Sequence, residues 1–264
     1  MAVATEACVP TRREGAVLVA TLARPPVNAI DDELLAGLEA AIDAAQADER
    51  VGVLHIAASG KAFCAGADLA LMRECFATPG GTARMVALVE RMQRVFARLE
   101  AAPFLALAEI GGAALGGGLE LALACDLRIA ACEARVGLPE ARLGLVPGAG
   151  GTQRLARLAG AGVARRLILG AEVVDGAAAE RLGIVQWAVP RAELAETARG
   201  LAQRLAGIPR AALAENKRCI AAASGDGGYA AEIAATRRLY ENSETRRRVA
   251  AFLAKRAIDS QEGS

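Results

Sequence analysis

The chain reads as an α/β protein whose strands are mainly parallel. Three observations lead there. Short branched-aliphatic runs alternate with amphipathic helical segments over the first 130 residues, the pattern of β-α-β units. The second half turns mostly helical. The composition is aliphatic: 54% hydrophobic but only 3% aromatic, with roughly a quarter of the 264 residues alanine.

The elements follow in order. Val17–Leu22 is a β-type run stopped by Arg24-Pro25-Pro26. Asp31 or Asp32 can cap a helix with Leu34, Leu35, Leu38, Ala41, Ile42 and Ala45 on one face. Val51–Ala57 is a buried strand by length and branching, and Ala58–Ala67 a loop of small residues. A long helix begins at Thr82 with Met85, Leu88, Val89, Met92, Phe96 and Leu99 at helical spacing, and Pro103 ends it. Phe104–Ile110 is the next strand. It runs through a glycine-rich stretch into a helix over Leu119–Ala124, and Leu127–Ala130 is a strand again. Helices are expected over 152–159, 162–169, 176–182, 191–206, 210–223, 229–240 and 244–258, with one strand over Ile184–Val189. A soft boundary at Gly207-Ile208-Pro209 divides a core, residues 1–206, from a helical region, residues 207–264. The length suits one large domain plus such an appendage.

Charge and special residues exclude several classes. The net charge of +1 sets up no field for DNA or an anionic membrane. Six cysteines, none spaced C-x-x-C, read as reduced thiols of a cytoplasmic-type compartment. No secretory signal and no membrane-spanning run is expected. A single histidine, His55, cannot build a multi-His metal site, and inside a strand it reads as structural. Trp187 reads as packing. Dinucleotide, P-loop, nucleophile-elbow and zincin motifs are all absent.

Three segments stand out: Gly60-Lys61-Ala62-Phe63-Cys64-Ala65-Gly66-Ala67-Asp68-Leu69; Gly112-Ala113-Ala114-Leu115-Gly116-Gly117-Gly118-Leu119-Glu120; and the run from Leu138-Pro139-Glu140 to Gly150-Gly151-Thr152. The first two follow predicted strands and lead toward helices. In a parallel α/β sheet such junctions share the carboxyl edge, where ligands bind. Small residues there let a ligand approach backbone amides, and the helix starting near Gly117 adds a partial positive charge. Two amides aimed at one oxygen stabilise an oxyanion. Glu120 lies on the helix face above the Gly117 amide, and Glu140 sits in a turn. Positioned carboxylates serve as general base or acid. Taken singly, each segment also fits a plain turn with a solvated glutamate.

Together they resemble the signatures of the crotonase superfamily, the enoyl-CoA hydratase/isomerase family. Ala62-Phe63-Cys64-Ala65-Gly66-Ala67-Asp68-Leu69 is similar to its first oxyanion loop, Ala114-Leu115-Gly116-Gly117-Gly118-Leu119-Glu120 to its second, and the run after Pro139-Glu140 to the segment bearing a second acid. Arg24-Pro25-Pro26-Val27-Asn28-Ala29 and Ala251-Phe252-Leu253-Ala254-Lys255-Arg256 fit as well. The resemblance implies a spiral of ββα-type repeats, as in Clp-type peptidases and crotonases, with a helical C-terminal trimerisation region. It implies an acyl-CoA substrate and a homotrimer or homohexamer. It assigns Ala67 and Gly117 as oxyanion-binding amides, Glu120 and Glu140 as the acid/base pair, Ala65, Gly66, Asp68 and Leu69 as contacts to CoA, and Phe252 and Lys255 as residues meeting the CoA phosphate end. No metal or redox cofactor is implied, coenzyme A being part of the substrate. Two positions depart from the family pattern: Glu109 where an apolar residue is usual, and Gly111 where a polar one is.

Both glutamates being present, the expected activity is reversible addition of water to a trans-2-enoyl-CoA. A Δ3-Δ2-enoyl-CoA isomerase, or another acyl-CoA-processing member, is the alternative within the family. A Clp-type peptidase would need a serine in the glycine loops and a suitably placed histidine. Arg237, Arg238, Arg246, Arg247, Arg248, Lys255 and Arg256 form a basic region that invites RNA. Interspersed glutamates and the lack of aromatics favour a solvated face, so neither a nucleic-acid nor a membrane partner is expected.

Overall fold

A computed structural model describes residues 7–262 apart from 224 and 226; the side chains of 255–262 lie outside the described residues. Two sheets organise the chain. The larger runs β1 (Thr11–Glu14), β2 (Val17–Leu22), β3 (Val53–Ala58), β5 (Leu105–Ile110), β7 (Leu127–Ala131), β10 (Trp187–Val189). Only β1, a hairpin partner of β2, is antiparallel. The smaller runs β4 (Ala62–Cys64), β6 (Ala113–Leu115), β8 (Arg135–Gly137), β9 (Val173–Asp175).

Sequence order and spatial order together define a spiral. β3, β5 and β7 are successive neighbours in the large sheet, and each is followed at once by β4, β6 or β8, successive neighbours in the small one. Each turn therefore contributes one strand to each sheet before a helical connection returns the chain. Those connections are α2 (Leu69–Phe76) with α3 (Gly81–Ala101), α4 (Gly117–Ala124), and α5 (Gly151–Ile168). α1 (Asp32–Ala47) joins β2 to β3, capped by Asp31, whose side chain accepts the Leu34 N–H at 2.9 Å. α6 (Gly176–Arg181) and α7 (Arg191–Ala206) close the core. α8 (Arg210–Ala222), α9 (Gly228–Glu241) and α10 (Ser243–Glu262) form the helical C-terminal region.

Every residue of α4 is buried, and Glu120 is its sole charged side chain. A helix apolar all round belongs in a protein interior, so a carboxylate there is exceptional. Cys64 and Cys125 are buried packing thiols, their ionisation pushed up to about 12 by burial. No helix among the described residues is long and apolar enough to cross a membrane.

The second strand of each ββα turn, implied by the resemblance, leaves no trace in the hydrophobic pattern, because these strands are three residues each, too short for a periodicity to register. The segment expected as the loop Ala58–Ala67 contains β4. Consequently the glycine-rich junctions stand at the ends of β4 and β6, parallel neighbours in the small sheet, and not on the long strands of the large one. The stretch after Leu69 forms α2. The strand expected over Ile184–Val189 shrinks to Trp187–Val189: Ile184 and Val185 are buried in the turn leaving α6, where the Ile184 N–H meets Ala179 O at 2.8 Å. The helices expected over 152–159 and 162–169 form one element with a break at Gly160, whose φ is 84°.

Candidate active site

Ala65, Gly66 and Ala67 leave β4, and Asp68 caps α2 by accepting the Ala70 and Leu71 N–H groups at 2.8 and 3.1 Å. Those donors, the Leu71 N–H foremost, hold the Asp68 carboxyl below its ordinary range, and Arg24 adds to it. Arg24 spans Asp31 at 2.7 Å and Asp68 at 2.9 Å, tying the caps of α1 and α2 together. Asn28 sets its Nδ2 against the carbonyls of Ser59, Ala62 and Phe63. The opening segment is thus pinned to the first loop.

An isolated parallel bridge joins Ile30 to Ala67. Ile30 accepts the Asp68 N–H at 3.0 Å and donates its own N–H to Gly66 O at 2.8 Å. In such a bridge the central residue of the other segment turns its own amide away, so the Ala67 N–H points to the opposite side. That side is where α4 begins. Gly117 is the first residue of α4, so its N–H has no partner within the helix. A Cβ placed on Gly117 would stand 3.6 Å from the Ala67 nitrogen, and one on Gly66 would stand 3.4 Å from the Gly117 nitrogen. The two amides therefore sit side by side. Gly66, with a φ of +100°, needs glycine, whereas a Cβ on Gly117 would press only on side-chain ends, 2.8 Å from Met92 Cε and 3.1 Å from Ile30 Cδ1.

One helical turn on, Glu120 is 2% exposed and accepts the Gly151 N–H at 2.7 Å. Its carboxyl is pushed up to about 7, chiefly by burial and further by the charge of Glu140, while the Gly151 and Ala149 N–H groups and Arg154 oppose the shift. Glu140, in a 3-10 turn over Pro139–Leu143, faces the same loop: its Oε1 lies 2.8 Å from where a Gly116 Cβ would be. Burial raises its ionisation as well. Its Oε2 is buried without a hydrogen-bond partner among the described residues. Two mutually repelling carboxyls titrate as a pair. Each has N–H donors that favour its anion, Gly151 and Ala149 at Glu120 and its own backbone N–H at Glu140, and at each burial outweighs them.

The fold thus brings Ala67, Gly117, Glu120 and Glu140 together from three successive turns of the spiral. Leu69, 64% exposed, opens α2 beside a cleft of ≈ 820 Å³ whose walls carry Arg24, Arg73 and Arg84 together with Asp31, Asp32, Glu33, Asp68 and Glu74. Phe252 is exposed on α10, and the side chain of Lys255 lies outside the described residues. Sequence reasoning missed Ile30 and Met92, which shape the amide pair, and Gly151 as the donor to Glu120. For Gly151 the signal was present as a helix N-terminus within the third segment. For Ile30 and Met92 there was none beyond apolar periodicity. Glu109 joins His55 in the large sheet: His55 Nε2 lies 2.9 Å from Glu109 Oε2 without the alignment of a hydrogen bond, so the departure from the family pattern falls outside the carboxylate pair.

Stacked ββα turns with two glycine-rich junctions facing a buried carboxylate define a crotonase-like fold. Pseudomonas aeruginosa DspI matches with a TM-score of 0.87 at 36% identity, over 94% of each chain. The enoyl-CoA hydratase of Bacillus anthracis matches with a TM-score of 0.87 at 32% identity, over 94% of this chain and 96% of that one. In sequence, a probable enoyl-CoA hydratase of Bacillus subtilis is 38% identical over 191 residues, 72% of each protein. The short-chain-enoyl-CoA hydratase of Clostridium acetobutylicum is 35% identical over 210 residues, 79% of this chain and 78% of the relative. The profile of the enoyl-CoA hydratase/isomerase family matches residues 12–262. The chain belongs to that family.

Proposed function

We infer that the protein is an enoyl-CoA hydratase, a hydro-lyase that adds water reversibly to a trans-2-enoyl-CoA to give a 3-hydroxyacyl-CoA. The carrying observation is the pair Glu120–Glu140 beside the Ala67 and Gly117 amides. In the hydration direction, the water oxygen bonds to the β-carbon and its proton passes to the Glu120 carboxylate. The electron pair of the double bond moves through the α-carbon onto the thioester oxygen. The Ala67 and Gly117 N–H groups form the oxyanion hole for that enolate, each donor worth about 2.7–4 kcal/mol. As the enolate collapses, Glu140 delivers its proton to the α-carbon. Return of one proton from Glu120 to Glu140 restores the starting state. No separate cofactor enters this sequence.

A double-bond isomerase needs one proton-transferring group, whereas hydration needs two, so the second carboxylate weighs against the isomerase alternative. Relatives at 35–39% identity carry hydratase names, including the crotonyl-CoA hydratase of Syntrophomonas wolfei at 37%. The CoA portion of the substrate runs along Ala65, Gly66, Asp68 and Leu69, where β4 leads into α2. Phe252 and Lys255 meet the CoA phosphate end from a neighbouring subunit of a trimer or hexamer. The six thiols, none in a redox-motif spacing, suit a cytoplasmic setting.

Crotonyl-CoA hydration, followed by loss of the conjugated thioester absorbance, tests the reading. Glu120→Gln and Glu140→Gln should each lower kcat by about 10²–10⁴-fold. Turnover of a 3-enoyl-CoA but not of a 2-enoyl-CoA by the parent protein would transfer the assignment to the isomerase.

A further inference from the structure

Glu120 takes its hydrogen bond from the turn Pro147–Gly151, and that turn is itself gripped from outside. Arg154, whose side chain is only 11% exposed, donates from Nη1 to Ala149 O at 3.0 Å. Its Nε and Nη2 both reach Glu100 Oε2, at 3.1 and 2.9 Å. The guanidinium lies directly over Gly150, where any Cβ would collide with it. Gln93 Nε2 donates to Gly148 O at 2.6 Å. Gln93 and Glu100 are seven residues apart on α3, hence two turns apart on one face. One helix face therefore fastens two consecutive carbonyls of the turn, directly at Gly148 and through Arg154 at Ala149. The next amide but one is the Gly151 N–H that meets Glu120.

We propose that Arg154, braced by Glu100, is a positioning residue for Glu120: it holds the 147–151 turn so that the Gly151 N–H stays on the carboxylate and the base remains ionised. Its guanidinium also adds positive charge on the side of the site where the Glu120 anion must persist. Arg154 touches neither substrate nor reacting atoms. For its kinetic consequence the proposal rests on the hydratase reading; for its structural consequence it does not.

The test compares Arg154→Met, Arg154→Lys and Glu100→Gln with the parent. Kinetics on crotonyl-CoA across pH are paired with a carbon-13 NMR titration of the Glu120 carboxyl, assigned with Glu120→Gln. Arg154→Met should lower kcat about tenfold or more with KM within about twofold, and move the Glu120 midpoint upward by about half a pH unit or more. Arg154→Lys keeps the charge but cannot span both partners, so its midpoint should recover better than its kcat. Glu100→Gln, at an exposed position, should move both readouts in the same direction by less, and it decides the matter if Arg154→Met does not fold. A parental midpoint together with parental kcat in Arg154→Met, or in Glu100→Gln and Arg154→Lys where the first is lost, would overturn the proposal. If the parent itself fails to hydrate crotonyl-CoA, the hydratase reading falls, and the NMR titration still decides the positioning role.

Discussion

A carboxyl buried on an apolar helix is costly to ionise, and at Glu120 that cost sets a pH dependence of stability. Its ionisation is raised in the folded state from 4.5 to about 7. Between those values the folded chain holds more protons than the unfolded one, so stability falls as pH rises through that window and stays reduced above it. The penalty is on the order of 3 kcal/mol. Glu120→Gln keeps an acceptor for the Gly151 N–H but cannot ionise. It should therefore raise the melting temperature at pH 8 and leave it nearly unchanged at pH 4.5; an equal shift at both pH values would show that Glu120 carries no such penalty. The residue invoked as the base is thus predicted to destabilise the protein it serves. Sequence alone drew attention to Glu120 and Glu140, because each lies within a distinctive motif. It did not show that Glu120 takes its amide donors from a turn about 30 residues away or that one Glu140 oxygen is buried without a partner among the described residues.

Two elements carry sharper consequences. At the start of α4, Gly117→Ala places a methyl within 2.8 Å of Met92 Cε and 3.1 Å of Ile30 Cδ1. Both obstacles are side-chain ends packed in the core, so repacking them should cost about 1 kcal/mol of stability, and strain passed to the Gly117 amide should lower hydratase kcat. Adding Met92→Ala should return part of both, measured by thermal melting and steady-state kinetics, because it removes the nearer obstacle. At the other end of α4, Arg128 is 2% exposed and donates to Cys125 O at 2.7 Å, Ala122 O at 3.2 Å and Ile184 O at 2.8 Å. It adds a donor to Ala122 O, which also accepts the Cys125 N–H at 3.1 Å, and caps the Cys125 carbonyl just past the helix end. Arg128→Leu should remove all three of its bonds and cost about 3 kcal/mol, read as a fall in the denaturant midpoint. The helix expected over Leu119–Ala124 lies within two residues of α4, but nothing in the pattern around Arg128 distinguished a buried helix cap from a surface arginine on a strand.

At the scale of the whole molecule, the C-terminal helices leave apolar side chains uncovered: Ile220 is 74% exposed, Tyr229 86%, Ile233 68% and Tyr240 71%. A surface of that kind suits association between copies, in keeping with the proposed trimer or hexamer. Analytical ultracentrifugation should give a mass of three or six chains, and Ile233→Arg should shift it toward the single chain. A monomeric parent would refute the assembly and, with it, the neighbouring-subunit role of Phe252 and Lys255.

The sequence by itself determined the parallel α/β core, the order of the long strands and helices, and the three segments from which Ala67, Gly117, Glu120 and Glu140 come. Long elements declare themselves because a face repeated over several turns or pleats leaves a periodic record, and glycine-rich junctions leave a compositional one. Only the tertiary structure decided that those junctions hang from a second sheet of three-residue strands. It also decided that Ile30 turns the Ala67 amide toward Gly117, that Gly151 supports Glu120, and that Arg154 and Glu100 hold the turn bearing Gly151. Each of these depends on contacts between distant segments, and a local pattern carries no record of what the chain will later fold against it.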